Sequence, residues 1–214
     1  MGEATRQRSR ERLVLAAAEV FAAEGYAGAT VNAIADRAGV SLQTLYTAWG
    51  SKRRLLRAYV EDPMTGAPTA ATDGRGAAQL RQQIGAGSGP DPQTRMRRVA
   101  AIFRQVADRM GLPWRLMRDG AAVDPGVEAD RAELEALRHR SMSAVLDGID
   151  ESNLRPGLTL DAAVDTILVI ASPSTYETLV HGRGYSMDEL ERWVGDTLIA
   201  ALVNPAVVTT STSR

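Results

Sequence analysis

Gln43, Thr44, Tyr46 and Thr47 put four hydrogen-bonding side chains within five positions, with Leu42 before them and Lys52 five residues beyond. A glutamine amide donates and accepts together, which matches the major-groove edge of adenine, and an exposed leucine can pack on a thymine methyl. A lysine ammonium is a point charge suited to phosphate. These types favour reading duplex DNA over breaking bonds. That chemistry needs the residues on one wet face of a helix that enters a major groove.

The surrounding residues supply such a helix. Ser41 is a good N-cap, and Leu45 faces inward while Gln43, Thr44, Tyr46 and Thr47 point out. One turn earlier, Val31, Ile34, Ala35 and Ala38 fall at i, i+3, i+4 and i+7, an apolar stripe of two helical turns capped by Thr30. Gly39 stands where the chain must reverse with positive φ, a conformation costly to any residue with a Cβ. Two short helices joined by a tight glycine turn make a helix-turn-helix. Upstream, Leu13, Val14, Ala17, Val20 and Phe21 predict a packing helix that ends at Gly25. Downstream, Ser51-Lys52-Arg53-Arg54 opens a helix continued by Leu55, Leu56 and Tyr59. Three cations in a first turn oppose the helix dipole, and an external phosphate would relieve that, so Lys52 is expected to clamp the DNA backbone.

Gly25-Tyr26, Thr30-Val31, Ile34-Ala35, Ala38-Gly39-Val40-Ser41, Thr44-Leu45-Tyr46 and Gly50-Ser51-Lys52 stand in order at a spacing that resembles the DNA-binding domain of tetracycline-repressor-like (TetR) regulators. The resemblance covers residues 6–60. Ser172-Pro173-Ser174-Thr175-Tyr176, with Gly184-Tyr185-Ser186 and Trp193, is similar to the C-terminal half of many such regulators. The family often has Lys-Gly where this chain has Leu42-Gln43, and an aromatic or histidine pair where it has Ala48-Trp49, so no relative lends its operator. The resemblance implies that Tyr46 touches phosphate or sugar and that late helices pair two subunits. The expected DNA-contacting set is Thr30, Ser41, Leu42, Gln43, Thr44, Tyr46, Thr47 and Lys52.

Composition agrees. Net charge is −1 over 214 residues, yet residues 1–60 carry nine Lys/Arg against five Asp/Glu and the remainder sixteen against twenty-one. A +4 head on a −5 body suits a DNA-binding module joined to a non-binding one. With no cysteine, neither disulfides nor thiolate metal sites are available. No apolar run approaches the ~18 residues of a membrane span, and Met1–Arg12 leads into no signal-peptide core, which points to a cytoplasmic protein. His139 and His181 are the histidines; Glu177 and His181 could hold half a metal site, but no second ligand pair accompanies them, and His181 is expected to cap a helix end. With no phosphate loop and no nucleophile elbow, an enzyme is not expected, nor any cofactor or metal.

The periodicity predicts an all-α chain of about nine helices: a helix-turn-helix domain over 1–62, a Gly/Pro-rich linker over 63–92, a helical ligand-binding and dimerisation domain over 93–204, and a flexible tail over 205–214. Pro63 is expected to end the fourth helix early, with a short helix around Ala77–Ile84. Met96 to Met110 reads as an amphipathic helix stopped by Gly111-Leu112-Pro113, then Trp114 to Ala122 as a short apolar segment. Asp124-Pro125 starts a long helix. Leu160 to Val180 is apolar nearly all round, and Ser186 caps a final helix carrying Trp193 and Ile199 on its apolar stripe.

Phe103, Met110, Trp114, Met117, Met142 and Tyr176 are the candidate lining of an effector pocket, because thioethers and aromatics adapt to varied apolar ligands; ordinary core packing explains them as well. Arg118, Arg138 or Tyr176 would supply a polar handle. The expected function is a dimeric repressor released from a palindromic operator by a small apolar molecule. The alternative is a helical small-molecule-binding protein or enzyme whose N-terminal unit only packs.

Overall fold

The computed structural model describes residues 3–65 and 91–208. Among them there is no strand, and the helices run α1 Glu3–Gly28, α2 Val31–Ala38, α3 Leu42–Trp49, α4 Lys52–Thr65, α5 Pro92–Ala121, α6 Pro125–Ser143, α7 Leu160–Ile170, α8 Pro173–Tyr176, α9 Met187–Leu202 and α10 Pro205–Val208. Single 3-10 turns at Ala144–Leu146 and Glu151–Asn153 and a π-helix at Glu177–Gly182 complete the order. Eight of the α-helices have eight residues or more, so the all-α expectation holds. The expected short helix around Ala77–Ile84 lies outside the described residues.

Two compact units share the chain. The first holds α1–α4 with Leu112–Leu134; the second holds α5 up to Gly111 and everything from Glu135 onward. The sequence reading put residues 112–134 with the body, whereas they pack in the N-terminal unit. Gly111-Leu112-Pro113 does not stop α5, which runs through to Ala121. A proline removes one hydrogen bond from a helix interior, and burial of Pro113 offsets the loss. The Gly-Leu-Pro segment marks a change of packing partners instead. Pro63 likewise fails to end α4, which continues to Thr65.

In the first unit, Leu13, Ala17 and Phe21 of α1 meet Ile34, Leu45, Leu55 and Leu56 in a fully buried core. α1 is interrupted where its stripe predicts, at Gly25 (φ 69°). Asp130 of α6 is 4% exposed. Arg57 Nη1 bonds its Oδ1 at 3.0 Å, and Arg53 Nε stands 3.0 Å from Oδ2 without hydrogen-bond alignment. Arg57 also bonds Glu61 and Glu133, and the Glu133 bond foremost holds its guanidinium charged. A buried carboxylate needs this compensation.

In the second unit, Phe103 of α5, Ile167 of α7, Tyr176, and Leu190, Val194 and Leu198 of α9 form the core. Leu160–Val180 is not one helix. Ser172, extended at ψ 154°, caps α8 through Thr175 N, and Pro173 follows at its first position. A residue before proline is pushed out of the α region, which ends α7. Within the single chain Val169 is 70% exposed, and Trp193, expected on the inward stripe of α9, is 37% exposed. Buried Arg95 bonds the carbonyls of Val145 and Asp147. The expected loose tail begins with a helical turn, Pro205–Val208, where Asn204 Oδ1 accepts from Ala206 N.

Asp130→Ala removes the buried carboxylate that Arg53 and Arg57 share, while Arg57 keeps Glu61 and Glu133. The partial exposure of the two arginines lets them reach water, so the loss should be about 2 kcal/mol, below the ~3–5 kcal/mol of a wholly buried pair. Chemical denaturation would measure it; an unchanged midpoint would show that the cluster contributes nothing net.

Candidate nucleic-acid interface

The site is built on two capped helices. Thr30 accepts from Ala33 N at 3.1 Å and starts α2. Gly39, at φ 62° and ψ 40°, sends its N–H to Asp36 O, while Val40 N reaches Ala35 O. This 6→1 and 5→2 closure satisfies the carbonyls at the end of α2 and needs the left-handed residue that glycine supplies. Ser41 then accepts from Thr44 N at 3.2 Å, and Gly50 closes α3.

α3 buries only Leu45 and Trp49. Leu42 is 38% exposed, Tyr46 45% exposed, and Gln43 and Thr47 are exposed as well. The hydroxyls are engaged locally: Ser41 Oγ and Thr44 Oγ1 stand 2.8 Å apart, and Thr47 donates to Gln43 O at 2.8 Å. Leu42, Gln43 and Tyr46 therefore form the outward edge of α3. Beside them, Ala27, Ala29, Thr30, Val31, Tyr46, Ser51 and Lys52 line an open concavity of about 460 Å³. Thr30, Tyr46 and Lys52, far apart in sequence, share this one groove.

The basic residues divide. Arg10 donates to Ala48 O at 2.9 Å and lies 4.2 Å over the Trp49 ring, whose Nε1 donates to Arg10 O. Arg12 donates to Ala38 O. Each thus caps a helix of the motif from α1, a role the sequence reading missed because it counted these cations only as a field. Arg37 pairs with Glu19, and Arg53 and Arg57 with the acids of α6. Lys52 Nζ donates to Tyr26 O at 2.8 Å and Ala29 O at 3.0 Å and lies 4.5 Å from the Tyr26 ring centroid. The unfavourable cationic first turn is thus relieved partly within the chain, at the C-terminal carbonyls of α1. Lys52 still lines the groove.

Tyr26 is buried, and its hydroxyl donates to Asp124 Oδ2 at 2.6 Å. Burial first, then that bond, pushes the phenol up; the same bond holds Asp124 below the usual carboxylate range.

The candidate effector residues separate. Phe103, Met142 and Tyr176 belong to the core of the second unit, which also contains buried Met110; Trp114 and Met117 lie in the first unit. Tyr176 donates to Asp108 at 2.9 Å, and burial with this bond pushes its phenol up to about 12. Arg138 donates to Leu168 O and Ala171 O at the end of α7, and burial lowers its pKa. Arg118 pairs with Asp119. His181 lies in the π-helix with its ring edge-on to Tyr176. Among the described residues no metal-binding cluster occurs, and no helix is long and apolar enough to cross a membrane.

A capped two-helix motif with an exposed polar second helix, on a helical body, defines a helix-turn-helix DNA-binding regulator. Residues 13–59 match the model of the bacterial regulatory proteins of the tetR family, and the N-terminal domain belongs to that family. The HTH-type transcriptional activator FasR of Mycolicibacterium smegmatis is 45% identical over 56 residues, 26% of this chain and 26% of FasR. The match therefore spans about a quarter of that relative. NalD of Pseudomonas aeruginosa, the secondary repressor of the MexAB-OprM multidrug efflux pump, has a similar fold at TM-score 0.72 and 16% identity, covering 93% of this chain and 99% of NalD. FadR of Bacillus subtilis, in complex with stearoyl-CoA, aligns at TM-score 0.67 and 20% identity over 89% of this chain and 97% of its own. Over most of its length the chain shares its fold with these two proteins.

Lys52→Ala should weaken binding to all duplexes nearly alike and flatten the log-affinity against log-salt slope by about one unit. It should also lower domain stability, because Tyr26 O and Ala29 O lose their donor. An unchanged slope with lowered stability would make Lys52 a purely internal cap.

Proposed function

We propose that this protein is a homodimeric, cytoplasmic transcriptional repressor that grips a palindromic operator and is released by a small apolar effector. The observation that carries the reading is the face of α3: two residues hold it to the domain, and Leu42, Gln43 and Tyr46 stand outward beside the groove of Thr30, Ser51 and Lys52. Gln43 is the base reader, Leu42 the thymine contact, and Tyr46 with Thr30, Ser41 and Lys52 grips phosphate and sugar. Thr44 and Thr47 lend hydroxyls whose oxygens remain acceptors. Regulation of transcription, not catalysis, is the function assigned. Repression is preferred because NalD, a body of the same fold, is a repressor; FasR, an activator, resembles the N-terminal domain alone.

Dimerisation is assigned to α7 and α9. Val169 and Trp193 are large apolar residues standing exposed on these two helices, and a two-fold operator requires two heads at fixed spacing. The effector is assigned to the second unit, with Phe103, Met110, Met142 and Tyr176 as its apolar lining and Arg138 as the polar group nearest the end of α7. FadR, a fold neighbour, was crystallised with a long-chain acyl thioester, which suits an apolar effector here.

Gln43→Ala should cost ~1–3 kcal/mol at one base position per half-site and relax selection there. Selection from a random duplex library with wild type and variant reads this directly; an identical consensus would move base reading to Thr44 or Thr47. The dimer has its own test. Val169→Arg places a charge at an already exposed position, so the fold should survive while sedimentation shows a monomer and operator affinity falls toward the non-specific level. A variant that stays dimeric, or a monomeric wild type that binds its operator tightly, would defeat the assignment.

A further inference from the structure

Behind Lys52 a chain of contacts runs through Tyr26 to Asp124, 72 positions away. Its ammonium bonds Tyr26 O and Ala29 O and sits over the Tyr26 ring. That ring is itself pinned. Phe21 lies 5.9 Å away centroid to centroid, and the hydroxyl bonds Asp124 Oδ2 at 2.6 Å. The other carboxylate oxygen of Asp124 accepts from Gly126 N at 2.9 Å and Val127 N at 3.4 Å, so the first turn of α6 fixes the acid. At Gly120, in the last turn of α5, a Cβ would stand 3.0 Å from both Tyr26 Cδ1 and Cγ and 3.2 Å from Val127 Cγ1. A methyl group there would press on the ring and move it by a few tenths of an ångström.

We propose that Tyr26, Asp124 and Gly120 are positioning residues for DNA-backbone binding: Asp124 and Gly120 set the tyrosine, and the tyrosine sets the ammonium of Lys52 at the groove. The inference rests on the reading of Lys52 as phosphate-facing. A lysine has a flexible four-carbon stem, and holding its ammonium at one place before DNA arrives removes freedom that binding would otherwise have to freeze. All the contacts lie within the first unit. Operator affinity thereby depends on the turn between α5 and α6, well outside the family-matched segment 13–59.

The experiment is a salt series on the full chain with a random-sequence duplex, because phosphate contacts do not depend on sequence. Wild type, Lys52→Ala, Tyr26→Phe, Gly120→Ala and the two double variants with Lys52→Ala are compared. Tyr26→Phe keeps the ring and both carbonyls and removes only the bond to Asp124. It should weaken binding about three- to tenfold at low salt, the range of one hydrogen bond, and move the salt slope toward that of Lys52→Ala. In the Lys52→Ala background Tyr26→Phe should have no further effect, and Gly120→Ala should behave alike. Single variants that bind as wild type would overturn the positioning role, as would losses that persist undiminished without Lys52. If Lys52→Ala itself leaves the slope unchanged, the phosphate reading fails and takes this inference with it. A flattened slope in Lys52→Ala beside an inert Tyr26→Phe sinks the positioning role alone.

Discussion

A cation placed on the C-terminal carbonyls of another element is the interaction on which this structure depends most. Among the described residues it recurs six times. Arg12 meets the end of α2, Arg10 the end of α3, and Lys52 the end of α1. In the body, Arg95 meets the turn after α6, Arg138 the end of α7, and Arg155 the end of α9 through Ala200 O. Helix ends leave carbonyls without intrahelical partners and carry partial negative charge. A guanidinium or ammonium answers both demands at once, and it ties elements distant in sequence. The short helices of the DNA-binding motif gain most, since eight residues are too few to be stable alone.

This use of cations changes the electrostatic picture of the head. The +4 charge of residues 1–60 suggests a broad basic surface, yet much of it is answered within the chain. Arg53 and Arg57 face Asp130 and Glu133, and Arg37 faces Glu19. Lys52, in the concavity beside α3, is answered as well, by Tyr26 O and Ala29 O.

The body follows another rule. Its core is a continuous apolar cluster, but the segment after α7 is broken at Ser172-Pro173 and passes into a π-helix. Tyr176 sits at that break, packed on Gly111 and bonded to Asp108. π-Helical turns are rare and gather at functional sites, and this one lies between α8 and α9 in the chain.

The amino-acid order alone determined the local grammar of the DNA-binding motif. Thr30, Gly39 and Ser41 are caps whose effect reaches only three residues, and the Val31–Ala38 stripe needs only helical periodicity, so both were legible without a fold. The break at Gly25 and the Ser186 cap have the same origin. Other features depended on partners far along the chain. Whether Pro113 stops a helix, whether Trp193 faces in or out, and whether Arg10 and Arg12 face DNA or a carbonyl are all settled by what packs against them. The grouping of 112–134 with the head, and the link from Asp124 through Tyr26 to Lys52, spans up to 98 residues. A short-range pattern carries no record of such pairs; only the closed tertiary structure brings a carboxylate, a phenol and an ammonium into line.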